Sequence, residues 1–206
     1  MSLWDQRYAE PGFAYGREPN EFLVHAVSHI IGLGQRRGAA LCLAEGEGRN
    51  ALFLASLGFE VTAVDSSSVG LAKANSLAKE RGLSLHTVVA DLAEFVVAPG
   101  HFALIVSIWC HLPGSLRASV HSACVRGLCP GGAFVLEAYT PAQLAFQTGG
   151  PRDLGLLMSL DELRGELQGL EWVHGVEIER EVHEGVFHHG KSSVVQVVAR
   201  APCGAQ

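Results

Sequence analysis

From Gly38 onward, short β-branched or apolar runs alternate with segments of helical period, the pattern of βαβ units that pair into a parallel sheet. Residues 39–44 predict a first strand. Residues 49–57 predict a helix closed by Gly58, and residues 60–64 a second strand ending at Asp65. Ser66 is placed to cap a helix running from about Val69 to Arg81 and stopped by Gly82. Residues 84–90 follow as a third strand ending at Asp91, residues 102–108 as a fourth, and residues 113–128 as a helix with proline near its start. Pro130-Gly131-Gly132 reads as a turn into a fifth strand, residues 133–138.

The pattern changes after a last helix over residues 159–167. Residues 171–182 and 192–199 are both strand-like, and the loop 184–191 between them makes a terminal hairpin. An antiparallel last strand beside parallel ones separates this layout from a simple doubly wound nucleotide fold. The expected fold is α/β, a Rossmann-like, seven-stranded, mostly parallel sheet with helices on both faces and a C-terminal antiparallel hairpin. Ahead of the sheet, residues 1–35 hold Trp4, Tyr8 and Tyr15 and a helix over residues 20–33, which reads as an N-terminal lid. One domain is expected over 1–206, with its core at 38–200.

Composition narrows the partners. Hydrophobic residues make up 48% of the chain, but the apolar runs are far shorter than a membrane span, and an early acid at Asp5 argues against a secretory leader. The formal charge is −6 and only Arg36-Arg37 are adjacent bases, so the footprint for binding nucleic acid is absent. Five cysteines (Cys42, Cys110, Cys124, Cys129 and Cys203) show no C-x-x-C, and a cytoplasmic protein with reduced thiols is expected. Oligomeric state is not encoded in any pattern here, and a monomer is the default.

Candidate chemistry begins after the first strand, at Ala44-Glu45-Gly46-Glu47-Gly48-Arg49-Asn50-Ala51. Gly46 and Gly48 let backbone approach a ligand, and the next helix offers its N-terminal N–H groups. Asp65 closes the second strand, where a carboxylate can accept bonds from both hydroxyls of a ribose; the alternative is a tight turn with Asp65 as a helix cap. Gly46-x-Gly48-x-x-Ala51 also fits a dinucleotide fingerprint, so nicotinamide chemistry is a competing reading. Against it, the chain has little room for a second mononucleotide-binding half, and Asp91-Leu92 offers a place for an adenine edge. Glu45 and Glu47 form an acidic rim that repels a pyrophosphate yet tolerates a sulfonium and an ammonium. S-adenosylmethionine is therefore the expected cofactor.

The segment from Leu41 to Asp65, LCLAEGEGRNALFLASLGFEVTAVD, resembles the motif I to motif II region of class I methyltransferases, in particular the tellurite-resistance and thiopurine methyltransferase group. Tyr15-Gly16-Arg17-Glu18-Pro19-Asn20 is similar to that group's entry motif, Ser107-Ile108-Trp109-Cys110-His111-Leu112-Pro113 to its fourth-strand motif, and Cys129-Pro130-Gly131-Gly132 to the turn before its fifth strand. The resemblance implies that Glu45, Gly46, Glu47 and Gly48 line the methionine part of the cofactor. It implies Asp65 at the ribose, Asp91 and Leu92 at the adenine, and Ser107, Ile108 and Trp109 near the sulfonium. Asn50 and Ser66 are further candidate cofactor-binding residues. The chain departs from the group at Cys42, where many members carry an acid, and at Ala44, where they carry glycine; Glu45 is then the candidate partner for the cofactor's amino end.

In open parallel sheets ligands sit beyond the carboxyl ends of the strands, so acceptor groups are sought in the loops leaving those ends. His111, His188 and His189 are the candidate catalytic residues, able to take a proton from an amine or hydroxyl; a thiol or a selenium or tellurium oxyanion needs only orientation. The expected partner is a small-molecule methyl acceptor. No metal is expected, because His183, His188 and His189 match no standard ligand spacing. A non-catalytic cofactor-binding protein is the second reading.

Overall fold

The computed structural model describes residues 2–32, 34 and 37–204. The predicted end of the second helix at Leu33 and Arg36 of the Arg36-Arg37 pair lie outside the described residues. In chain order the elements are α1 (Leu3–Ala9), α2 (Glu21–Gly32), β1 (Ala39–Leu43), α3 (Arg49–Ser56), β2 (Glu60–Asp65), α4 (Ser68–Glu80), β3 (His86–Val89), β4 (Phe102–Ile108), α5 (Gly114–Gly127), β5 (Leu128–Tyr139), α6 (Leu160–Glu166), β6 (Glu171–Glu184) and β7 (His188–Arg200).

The strands form one seven-stranded sheet in the order β3-β2-β1-β4-β5-β7-β6. The first five run parallel, while β7 enters antiparallel between β5 and β6. Chain direction across the sheet reverses between β1 and β4, so a crevice opens beyond the carboxyl ends of those two strands.

Side chains alternate between faces, and the central strands are apolar on both, so both faces are covered. Leu41, Leu43, Ile105, Phe134 and Leu136 point to one face, against Val120 and Cys124 of α5 and Leu163 of α6. Cys42, Leu104, Val106 and Val135 point to the other, where Leu23, Val27 and Ile30 of α2 and Leu54 of α3 meet them.

Three local expectations are corrected. The cap of α4 is Ser67, not Ser66: the Ser67 hydroxyl accepts from the Gly70 amide at 3.1 Å, while Asp65 draws the Ser67 amide in at 2.8 Å. Pro130-Gly131-Gly132 is not a separate turn but the irregular start of β5, accompanied by a register shift against β4. The hairpin loop is residues 185–187 alone, so His188 and His189 stand in the ladder, opposite Glu184 and His183. A further element, α1, was not anticipated; it is opened by a capping box between Ser2 and Asp5.

Candidate active site

The turn after β1 is built from left-handed residues, Ala44 (φ 47), Gly46 (φ 62) and Gly48 (φ 92). Gly48, at the start of α3, has no side chain to cap it, and Glu45 takes the task from upstream: its Oε1 accepts from the Asn50 and Ala51 amides at 2.9 and 2.8 Å. Burial pushes the Glu45 carboxyl up to about 7, outweighing those two bonds and the nearby Arg49. Asp65, at the end of β2, accepts from the Gly46 amide and the Ser67 amide, each at 2.8 Å, and burial raises its pKa too.

Both glycines of the turn are needed for close approach. A Cβ on Gly46 would meet the Tyr8 hydroxyl at 2.5 Å, and one on Gly48 would meet the Ala74 Cβ at 2.5 Å. The turn is thus held between α1 and α4.

A cavity of about 730 Å³ opens over this turn. Its floor comes from the strand ends: Ala44, Glu45 and Glu47 after β1, Asp65 and Ser66 after β2, Asp91 and Leu92 after β3, and Ile108 to Leu112 after β4. Its roof is α1 with Tyr15, and its far wall is the segment 147–152 and the hairpin tip. Of the predicted cofactor residues, Gly46, Gly48 and Ser107 lie behind the wall; Ser107 is buried in β4 with its hydroxyl unpartnered. Glu47 lines the cavity but is also tied, accepting from the Ala14 amide at 2.7 Å and from Lys73 at 2.9 Å. Asn50 lines it while its side-chain carbonyl accepts from the Asn20 amide at 2.9 Å.

At the hairpin end the cavity becomes an aromatic chamber. Trp109 sits in a left-handed conformation (φ 56), stacks on Tyr139 with ring centroids 4.4 Å apart, and donates its Nε1–H to Glu184. His188 is inserted edgewise against Tyr139 and Trp109 and lies 4.7 Å from the Tyr15 ring. Burial, with Arg49 next, depresses its pKa to about 3, so the imidazole is neutral at physiological pH. Its Nδ1 is buried without a partner, as is the Tyr139 hydroxyl.

His111 is differently placed. Its Nδ1 lies 2.8 Å from the Leu156 carbonyl, which can only accept, so this nitrogen carries the proton; Nε2 then receives a long contact of 3.5 Å from the Tyr139 amide. Burial holds its pKa down at about 4. His189 is exposed, its ring paired with His183 at a centroid distance of 5.0 Å. Among the described residues no group of three or more His, Cys, Asp and Glu is arranged to hold a metal ion.

Sequence reasoning did not find the support beneath the chamber. Glu137 is fully buried in β5, accepting from Arg180 at 2.8 Å through each oxygen, from Gln196 at 2.6 Å and from Asn20 at 2.6 Å. Glu184 accepts from the other Asn20 hydrogen at 2.7 Å and forms an ion pair with Arg49. These residues lie far apart in sequence and none belongs to a local pattern; a glutamate inside the apolar run of β5 was the one available signal.

The groups present suit S-adenosylmethionine. Asp65 keeps acceptor capacity beyond its two backbone bonds for ribose hydroxyls, and the carboxylates at the ends of β1 to β3 favour a cationic ligand. Residues 40–132 match a family model described as a methyltransferase domain. No curated protein matches the chain. Solved structures do. One, described as the conversion of a disulfide bond into a thioacetal group during echinomycin biosynthesis, is 20% identical with TM-score 0.75, covering 98% of this chain and 89% of that one. The N-methyltransferase NodS from Bradyrhizobium japonicum, in complex with S-adenosyl-L-homocysteine, is 16% identical with TM-score 0.72, covering 97% and 96%. TehB from Haemophilus influenzae is 22% identical with TM-score 0.70, and the match covers 87% of this chain and 61% of that one.

At these identities the structures establish the fold, and the family match marks residues 40–132 as a methyltransferase domain.

Proposed function

We propose that the chain acts as a single domain that methylates a small-molecule acceptor seated in the chamber between Tyr15, Trp109 and His188. The carrying observation is that this chamber continues the cavity at whose other end Asp65 and Asp91 lie, so that donor and acceptor share one cavity. The cofactor supplies a methyl group already activated on a sulfonium. Asp65 with Ser66 binds the ribose, Asp91 and Leu92 the adenine edge, and Glu45 and Glu47 the methionine end, with Gly46, Gly48 and Asn50 shaping the turn. Ile108 and Trp109, backed by Ser107, border the reacting carbon and exclude water from it.

His188 orients the acceptor. Its Nδ1 is enclosed and unpartnered, it forms no other hydrogen bond among the described residues, and its ring borders the cavity. A neutral imidazole so placed can accept a proton from an acceptor heteroatom or hold an anion already formed. His111, committed to Leu156, and His189, at the outer edge, have secondary parts in shaping the chamber. Resemblance to the tellurite-resistance and thiopurine group supports a soft acceptor, a thiol, a selenium or tellurium oxyanion or a thiopurine-like heterocycle. The described cysteines are all free, which accords with work in the cytoplasm.

Calorimetric titration with S-adenosylmethionine and S-adenosylhomocysteine, beside reduced nicotinamide dinucleotide, tests the cofactor reading, and a methyl-transfer screen over those acceptors tests the rest. Micromolar binding of both sulfur ligands with turnover on one acceptor is the expected result. Binding without turnover on any acceptor would favour a non-catalytic cofactor-binding protein.

A further inference from the structure

The charges lining the cavity are divided between its ends. Glu45, Glu47, Asp65 and Asp91 lie over the ends of β1, β2 and β3, whereas Arg7 and Arg152 reach in from the roof and the far wall. Arg49 also lines the cavity, but it is paired with Glu184. Neither Arg7 nor Arg152 has a carboxylate partner among the described residues. In a chain of net charge −6, two cations lacking an acid beside this cavity call for an anion from outside.

Arg7 is also held in one orientation. Its Nη1 donates to the Tyr15 hydroxyl at 2.7 Å, and its guanidinium carbon lies 4.4 Å from the centre of the Phe187 ring and 5.1 Å from that of Trp4. The guanidinium is thus fixed among apolar ring faces with most of its N–H donors uncommitted, an arrangement suited to a carboxylate on an apolar body. Both Tyr15 and Phe187 border His188 or its neighbour in the chamber, which places this cation at the acceptor end.

The geometry points to an acceptor that is an organic carboxylate with an apolar or aromatic body, its acid group held by Arg7 with Arg152 at the mouth. This rests on the acceptor lying in the His188 chamber, as proposed above. Because Arg7 belongs to α1 and Phe187 to the hairpin tip, such an acceptor would also tie the roof to the far wall.

The test uses the full chain loaded with S-adenosylhomocysteine, titrated with 2-naphthoate and with its neutral isostere 2-naphthamide and followed by tryptophan fluorescence. The carboxylate should bind at least about tenfold more tightly than the amide. Arg7→Gln should abolish that preference while changing the affinity for S-adenosylhomocysteine less than about twofold, and Arg7→Lys should restore part of it. Equal affinity for the two compounds in the wild type would overturn the proposal. So would an Arg7→Gln variant that loses S-adenosylhomocysteine and keeps the naphthoate preference, since Arg7 would then hold the cofactor's own carboxylate. A wild type that never binds S-adenosylhomocysteine would instead fail the cofactor reading, and the naphthoate preference could still be measured without it.

Discussion

Asp65 and Glu45 both hold the turn by accepting backbone N–H bonds, and both line the cavity. Asp65 has acceptor capacity left facing the cavity, so Asp65→Ala should weaken S-adenosylmethionine binding by about 1.5–3 kcal/mol, roughly ten- to a hundredfold. An unchanged dissociation constant would remove it from the ribose site. Glu45, with its carboxyl raised to about 7, makes a prediction about pH. A carboxyl whose folded pKa lies above its unfolded value keeps more protons when folded, so its contribution to stability falls as pH rises from about 4.5 to about 7. His111 and His188, depressed to about 4 and about 3, act oppositely, adding stability as pH rises towards about 6.5. Comparing thermal unfolding of the wild type with Glu45→Gln at pH 5 and pH 7.5 cancels the histidines. The variant should gain relative to the wild type at the higher pH, and a pH-independent difference would show that Glu45 does not titrate in that window.

At the scale of elements, the first three parallel strands were legible because each is a short apolar run closed by an acid, Glu45, Asp65 or Asp91, and the apolar runs of β4 and β5 because glycines precede them. Two things were not legible. The seven residues of α1 are too few for a periodic signal, although Ser2 and Asp5 carry its capping box. The polar, histidine-rich run 184–191 reads as a loop because its ordering comes from outside: the Val186 amide donates to the Ala14 carbonyl at 3.1 Å, and Gly185 packs against Tyr15. At Gly185 (φ 65) an added Cβ would lie 2.4 Å from the Ala14 carbonyl oxygen. Gly185→Ala should therefore part the hairpin from the N-terminal segment, costing about 1–3 kcal/mol in backbone strain. Trypsin should then cut at Arg7 and Arg17 faster than in the wild type while the sheet stays folded. An unchanged cleavage pattern would mean that α4, through Lys73 and Ser67, holds the N-terminal segment by itself.

The whole molecule is joined at Glu137. Through Asn20 it reaches the entry to α2, through Arg180 the edge strand β6, and through Gln196 the strand beside it, while its own backbone carbonyl accepts from the Trp109 amide at 2.9 Å. Its negative charge and that of Glu184 are matched by Arg180 and Arg49, so the buried group is neutral overall although each member is charged. Such a group adds little over a well-packed apolar core, but removing one member leaves its partner charged and uncompensated. Glu137→Ala should accordingly destabilise the fold by about 3–5 kcal/mol, measured by urea unfolding. Replacing both members, Glu137→Leu with Arg180→Met, should recover much of that loss because no lone charge stays behind. If the double variant also recovers S-adenosylhomocysteine binding, the cluster serves stability alone. If stability returns and binding does not, Glu137 and Arg180 are what keep Asn20, Glu184 and the strained Trp109 aligned beneath the chamber, and the cluster is then part of how the fold prepares its site.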